Sequence, residues 1–320
     1  MPTLPAGPPE TVQELRQKAA SVLAPIPATM PGAEHDTPVQ IALGKRLFFE
    51  KRLSRNNTQS CNTCHVIDHH RGGVDNEPTS PGAFGKRGGR NSPTVLNAGF
   101  HLAQFWDGRA ENLEAQAKGP ILNPIEMAMP DATVVIQRLK EDKTYRRQFS
   151  QAFPGDADAV TYDHLARAIA AFERTLITRD RFDTFLRGQN RALSAHEQKG
   201  LREFLTVGCT TCHNGPLIGG NAYKKFGIFA AYPPDTDKGR IDITKDEADD
   251  LVFKVPSLRN IAITGPYFHD GREASLADAV RRMGKMQLNL DLSNDQVAAI
   301  TAYLNSLTDQ GRTTKPAATQ

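Results

Sequence analysis

Apolar residues recur along this chain at helical spacing and almost nowhere in the alternation of a strand. Over residues 163–178, Leu165, Ile169, Phe172 and Leu176 share one helical face. Ser293 and Gln296 form a capping box that opens a last helix carrying Val297, Ile300, Leu304 and Leu307. Short amphipathic helices are predicted over 43–49 and 199–205, the second opened by Ser194 and Glu197, and the helical pattern returns over 110–117 and 273–283. Gly- and Pro-rich stretches, 72–90 and 215–237, separate these segments. Because apolar residues recur within them, they read as loops wrapped round buried groups, not as linkers.

A length of 320 residues suits two domains, each with its own core, and the predicted boundary lies near 181–194: residues 1–185 with an N-terminal extension, then 186–320. No stretch approaches the roughly 18 apolar residues of a membrane span. The 39 basic and 36 acidic residues are interspersed, so charge gives no reason to expect nucleic acid as a partner. The opening MPTLPAGPPE has no basic stretch followed by an apolar one, so no signal peptide is expected in this chain.

The four cysteines change the picture. All lie in two copies of one pattern, Cys61-Asn-Thr-Cys64-His65 and Cys209-Thr-Thr-Cys212-His213. Two thiols three residues apart can bond both vinyl groups of one porphyrin while the adjacent His turns onto its iron, which makes CxxCH an attachment motif for c-type haem. A four-cysteine zinc site would bring its pairs much closer in sequence, and a thioredoxin-like motif would follow a strand. Two covalent haems are therefore expected, and such attachment takes place outside the cytoplasm, which places the protein in a bacterial periplasm.

The duplication extends beyond the cysteines. Gly44 and Phe48 before the first motif match Gly200 and Phe204 before the second. Pro93-Thr-Val-Leu-Asn97 and Pro256-Ser-Leu-Arg-Asn260 are followed by Phe105-Trp106-Asp107-Gly108-Arg109 and Phe268-His269-Asp270-Gly271-Arg272, with the same 14-residue step from Pro to Asp. The expected fold is mainly α: two tandem class I cytochrome c-like domains, each enclosing one covalent c-type haem.

With His65 and His213 each on one face of an iron, chemistry depends on the opposite face. In the second half, the helix after Arg272 delivers Met283, with Met286 close behind; a thioether ligand raises the potential, and Met283 is the preferred candidate. In the first half a carboxylate, Glu126, stands in an apolar loop, where it could take a proton from H2O2 and return it to the departing oxygen. Met127 or Met129 as ligand, or a solvated Glu126, are the plainer alternatives. Trp106, the only tryptophan, takes the place of His269 in the other half, which suggests an electron-transfer role between two haems.

These motifs, with GGVDN, RNSPTVLNA, QFWDGR, EAQAKGP, VPSLRN, TGPYFHDGR and MGKMQL, make the chain resemble the bacterial dihaem cytochrome c peroxidase family from about Val39 to Leu307. The resemblance implies a low-potential N-terminal haem where H2O2 reacts and a high-potential C-terminal haem fed by a small c-type cytochrome or cupredoxin. It also implies a calcium ion between the domains and a homodimer. Carried over, Cys61, Cys64 and His65 would hold the peroxidatic haem, with Glu126 as acid/base and Gln116 and Phe105 lining the distal pocket. Trp106 would lie between the haems. Cys209, Cys212, His213 and Met283 would hold the second haem, and calcium would take the Asn91 side-chain oxygen, the Thr264 and Pro266 carbonyls and water.

One position departs. Family members often carry a His shortly before RNSPT that caps the peroxidatic iron until the other haem is reduced; here that position is Ala83, and residues 79–90 contain no His. An open first haem, active without reductive activation, is therefore expected, with His69, His70 and His101 as rival ligands. Two other functions compete: a dihaem oxidase maturing a tryptophan-derived cofactor in a partner, whose relative has Tyr where this chain has Met283 with no Tyr close by in sequence, and a plain electron carrier.

Overall fold

The computed structural model describes residues 10–68, 70–232 and 237–312. Its helices are α1 (Val12–Ala20), α2 (Pro38–Phe48), α3 (Cys61–Cys64), α4 (Leu113–Leu122), α5 (Ala132–Glu141) and α6 (Lys143–Ala152), then α7 (Tyr162–Glu173), α8 (Arg181–Leu186), α9 (Ala195–Thr206), α10 (Ile241–Thr244), α11 (Leu276–Leu288) and α12 (Asn294–Asn305). One antiparallel ribbon, β1 (Tyr223–Lys225) with β2 (Val252–Lys254), falls partly inside the stretch read as loop. The molecule is thus mainly helical, as expected.

Each half is built on a pair of crossed helices. In the first, α2 lies against α7 so closely that a Cβ on Gly44 would sit 1.7 Å from the Ala168 carbonyl oxygen, and Phe48 meets Phe172 edge-on at 5.3 Å. In the second, α9 lies against α12; a Cβ on Gly200 would sit 1.8 Å from the Ala299 oxygen, and Phe204 meets Tyr303 at 5.3 Å. The paired glycines let the backbones touch.

The second repeat matches residue for residue. Asn97 and Asn260 are both left-handed at φ 62°, Phe105 and Phe268 at 66° and 70°, and Gly108 and Gly271 at 71° and 66°. Gln104 pairs with Ala110 as Tyr267 pairs with Glu273. Those bridges keep 110 and 273 extended, so α4 and α11 begin three residues later than their patterns suggest, at the caps Asn112 and Ser275. The capping boxes at Ser194 and Ser293 form as expected. Helix α7 stops at Glu173, since the chain then turns so that the Leu176 carbonyl can accept from Asn97.

Packing does not follow chain order throughout. The N-terminal extension, grouped by sequence with the first domain, sends Leu15, Ala19 and Leu23 into the core of the second half, beside Phe182, Phe185, Phe204 and Tyr303. Its amphipathic helix α1 buries that stripe where α8 and α9 leave an apolar face.

Adding a methyl at either crossing should force the helices apart. Gly200→Ala is expected to destabilise by about 1–3 kcal/mol and to lower the thermal transition, whereas Gly89→Ala, with nothing within 4 Å, leaves it in place. Calorimetry of the two variants checks this, and equal transitions would show that the crossing tolerates a side chain.

Candidate active site

In the second half α9 runs into Gly208, left-handed at φ 98°, which turns the chain into Cys209 and brings the His213 amide onto the Cys209 carbonyl at 2.9 Å. The His213 ring places Nδ1 3.2 Å from the Ile218 carbonyl oxygen. A carbonyl only accepts, so Nδ1 carries the proton and the Nε2 lone pair is left for a metal. Burial pushes this imidazole down to about 4, which keeps it neutral.

Cys209, Cys212, His213 and Met283 line one largely apolar cavity. Met286 packs elsewhere, buried, while its carbonyl accepts from the Phe229 amide at 2.9 Å. Three residues apart on α11, the two methionines are nearly equivalent by periodicity; the fold separates them. Tyr267 also lines this cavity and packs with Phe268 and Ala279 in the cluster that Met283 joins, so a tyrosine does stand close to Met283 in space.

The first centre is assembled in the same way. The one-turn helix α3 holds Cys61 and Cys64, the His65 amide donates to the Cys61 carbonyl at 2.9 Å, and His65 Nδ1 lies 3.3 Å from the Ser92 hydroxyl. Burial again lowers the imidazole pKa. None of the four cysteines forms a disulfide. Each motif therefore offers two free thiols and a neutral His with its Nδ1 engaged, a donor set that fits a covalent haem.

The Cys64 thiol is raised by burial first and, to a smaller extent, by the nearby Asp75 and Glu126 carboxylates, so Glu126 stands near this turn. It is half-buried; Asn123 Nδ2 donates to its Oε1 at 2.7 Å. Burial raises the carboxyl pKa, opposed by the Arg109 guanidinium and by Asn123. Arg109 in turn lies 3.5 Å above the Phe105 ring and is paired to Asp107. A Cβ on Gly119 of α4 would come within 3.5 Å of Phe105, and Gln116 is half-buried on the same helix. Met127 and Met129 pack in the first core with Leu47 and Phe48. Asn123, Arg109, Ser92 and Ile218 were not assigned site roles from sequence, although Arg109 and Ser92 lie in the repeated motifs QFWDGR and RNSPTVLNA and the Asn-Pro turn at 123 carried a local signal.

Ala83 is buried, its amide donating to the Glu126 carbonyl at 2.7 Å and its carbonyl accepting from Asn56. Gly82 is pressed so close to Ile125 that a Cβ would overlap its carbonyl oxygen, while Phe84 points out, 58% exposed. Of the rival histidines, His69 lies outside the described residues, His70 is half-buried beside the first motif, and His101 lines the second cavity.

Trp106 also lines the second cavity, and its indole N–H donates to the Asn91 carbonyl at 2.9 Å. The adjacent Phe105 lines this cavity too and carries over its ring Arg109, whose charge acts on Glu126, so this pair of residues is shared by the two centres. Asn91 Nδ2 donates to the Glu77 and Pro78 carbonyls at 3.0 and 3.2 Å, which leaves Oδ1 uncommitted, and Thr264 and Pro266 share its cavity wall. That set of neutral oxygens suits a hard cation. Among the described residues no cluster of three or more His, Cys, Asp or Glu offers a separate metal centre, and no helix is long and apolar enough to cross a membrane.

The family profile of di-haem cytochrome c peroxidases matches residues 38–191. The chain is 46% identical to the cytochrome c551 peroxidase of Pseudomonas aeruginosa over 300 residues, covering 92% of this chain and 86% of that protein. To the cytochrome c551 peroxidase of Nitrosomonas europaea it is 47% identical over 270 residues, 83% of this chain and 79% of the relative. The crystal structure of a MauG-like protein associated with microbial copper homeostasis superposes with a TM-score of 0.81 at 29% identity, over 91% of this chain and 95% of that one. With two complete haem-binding motifs in a duplicated helical frame, this chain belongs to the di-haem cytochrome c peroxidase family and is an oxidoreductase acting on hydrogen peroxide.

Proposed function

We propose that the first centre, with His65 as its proximal ligand, is the site of H2O2 reduction and stands open in the oxidised protein. The second, held by His213 and Met283, would receive electrons singly from a small c-type cytochrome or cupredoxin. The observation that carries this reading is Glu126, held by Asn123 beside the Cys61–Cys64 turn with Ala83 bonded to its backbone. When bound, the haems supply an iron where peroxide reacts and a second iron that stores an electron.

The overall change consumes two electrons and two protons for each H2O2 and yields two waters. Glu126 accepts a proton from one peroxide oxygen and delivers it to the other, which leaves as water. Asn123 fixes Oε1 and so presents Oε2 to the substrate. Phe105 and Gln116 wall the pocket and limit water. Trp106, between the two sites, carries electrons toward the first. Asn91 Oδ1 with the Thr264 and Pro266 carbonyls would hold calcium beside Trp106, joining the halves where the electron crosses. Four cysteines in c-type attachment motifs, a chemistry carried out outside the cytoplasm, support a periplasmic mature protein.

An open first centre is favoured by Ala83, which has no group to offer a metal, and by the outward turn of Phe84. Tyr267 keeps a tyrosine-ligated second haem, the arrangement of a cofactor-maturing oxidase, as the alternative to Met283. A sulfur-to-iron charge-transfer band in the oxidised protein decides for Met283.

Glu126→Gln is expected to keep both covalent haems in its absorption spectrum and to lose turnover by about 10²–10⁴-fold; activity close to the parent removes the acid/base assignment. Because only the ionised carboxylate accepts the proton, kcat/KM should fall as pH drops through a pKa above that of an ordinary glutamate, and this limb should vanish in Glu126→Gln. Fully oxidised protein mixed with H2O2 and a reduced small cytochrome c should turn over from the earliest times. A lag abolished by prior reduction of the second haem would mean that another residue caps the first iron.

A further inference from the structure

Two nitrogen bases, the buried Lys254 and the half-buried His101, take no part in the chemistry above. Lys254 ends β2, only 6% exposed, and its Nζ lies 2.6 Å from His101 Nδ1. His101 comes from the first half of the chain and Lys254 from the second, yet both side chains line the cavity of Cys209, Cys212, His213 and Met283. Gly220 lies against the His101 ring, where a Cβ would come within 3.2 Å of Nδ1, so the ring is held in place.

With Lys254 in its ammonium form, which only donates, His101 accepts at Nδ1 and carries its own proton on Nε2. That Nε2 is buried and meets no protein acceptor among the described residues. Nor does a carboxylate answer Lys254: burial alone pushes it down to about 7. A cation and an N–H donor side by side in an apolar wall cost free energy unless an anion meets them. A covalent haem brings two carboxylates of its own, the propionates.

We propose that Lys254 and His101 clamp one propionate of the second haem, a residue from each half of the chain acting on the same group. The inference rests on the reading of this cavity as the second haem site. Both are positioning residues, acting on the iron through the propionate. A positive charge at the propionate offsets its negative charge and favours the ferrous iron, so the clamp raises the potential of the haem that receives electrons.

The test is redox titration of the holoprotein, followed by the separate spectra of the two haems. Lys254→Met should lower the midpoint potential of the second haem and leave the first unchanged, and Lys254→Arg should restore the parent value. His101→Leu, which removes the second donor without touching the charge, should shift the same potential downward by less. If Lys254→Met fails to mature, His101→Leu carries the test alone. A second haem whose potential stays at the parent value in the variants that mature overturns the clamp. The two failures are distinguishable: a parent protein without a second haem or without peroxidase turnover fails the functional reading, whereas an active dihaem parent with unresponsive variants fails the clamp alone.

Discussion

Much of the second half, and its join to the first, is arranged round one guanidinium that water does not reach. Arg259 is fully buried, with Nη1 2.6 Å from Asp180 and 3.1 Å from Asp183, Nε on the Pro216 carbonyl and Nη2 on the Ala24 carbonyl, both at 2.8 Å. One side chain thus ties the N-terminal extension, the segment between the halves and the loop after the second CxxCH motif. Asp180 also caps α8, and Asp183 accepts from the Ile26 amide. Breaking such a pair from one side leaves an uncompensated buried charge, typically about 3–5 kcal/mol. Close by, Thr178 bonds Asn97 from the first repeat and Asn260 from the second through one hydroxyl. The two matched loops therefore share one hydroxyl near the centre of the duplication.

That fixed centre gives the left-handed phenylalanines their meaning. Phe105 and Phe268 hold a backbone conformation that bulky residues seldom take, at a cost of about 1–3 kcal/mol each. The bridges from Gln104 to Ala110 and from Tyr267 to Glu273 close a tight loop over each one. In the first half the result is that Phe105 and Trp106 both line the second cavity, while Phe105 also holds Arg109 over its ring. In the second half the residue matching Trp106 is His269, stacked on Phe253 at 4.2 Å and 6.4 Å from the Trp106 ring. The duplication thus brings both copies of one position to the same interface, where their identities diverge.

What the sequence made legible was set by local physics. Capping boxes at Ser194 and Ser293 and the repeated Phe-x-Asp-Gly-Arg loops depend on near neighbours, so their patterns carry over to the fold, and the crossing glycines were legible only because the duplication repeats them. Elements that depend on distant partners were hidden. Helix α1 reads as an extension, because only the folded α8 and α9 offer the face that Leu15 and Ala19 bury. The β1–β2 ribbon is three residues long on each side, too short for a period-two signal, and β1 lies inside a stretch that reads as loop. Met283 and Met286 were alike by spacing, and Tyr267 was far from Met283 in sequence although it shares its cavity. Each of these distinctions is made by packing across the chain.

The same division explains the proposed open centre. Replacing a His by Ala at position 83 removes a ligand, but it does not by itself say where the loop goes. The fold adds that constraint: the Ala83 amide holds the Glu126 carbonyl, Asn56 holds the Ala83 carbonyl, and Gly82 is wedged against Ile125. Moving this loop over the iron would break both bonds and pull on the turn that aims Glu126. In the proposed reading, a loop that elsewhere could serve as a removable cap is here a support for the proton-transfer residue. The loss of the His and the anchoring of the loop then act together, since an anchored loop with a ligating side chain would close the site permanently, whereas one ending in a methyl group leaves room for substrate while holding Glu126 in place.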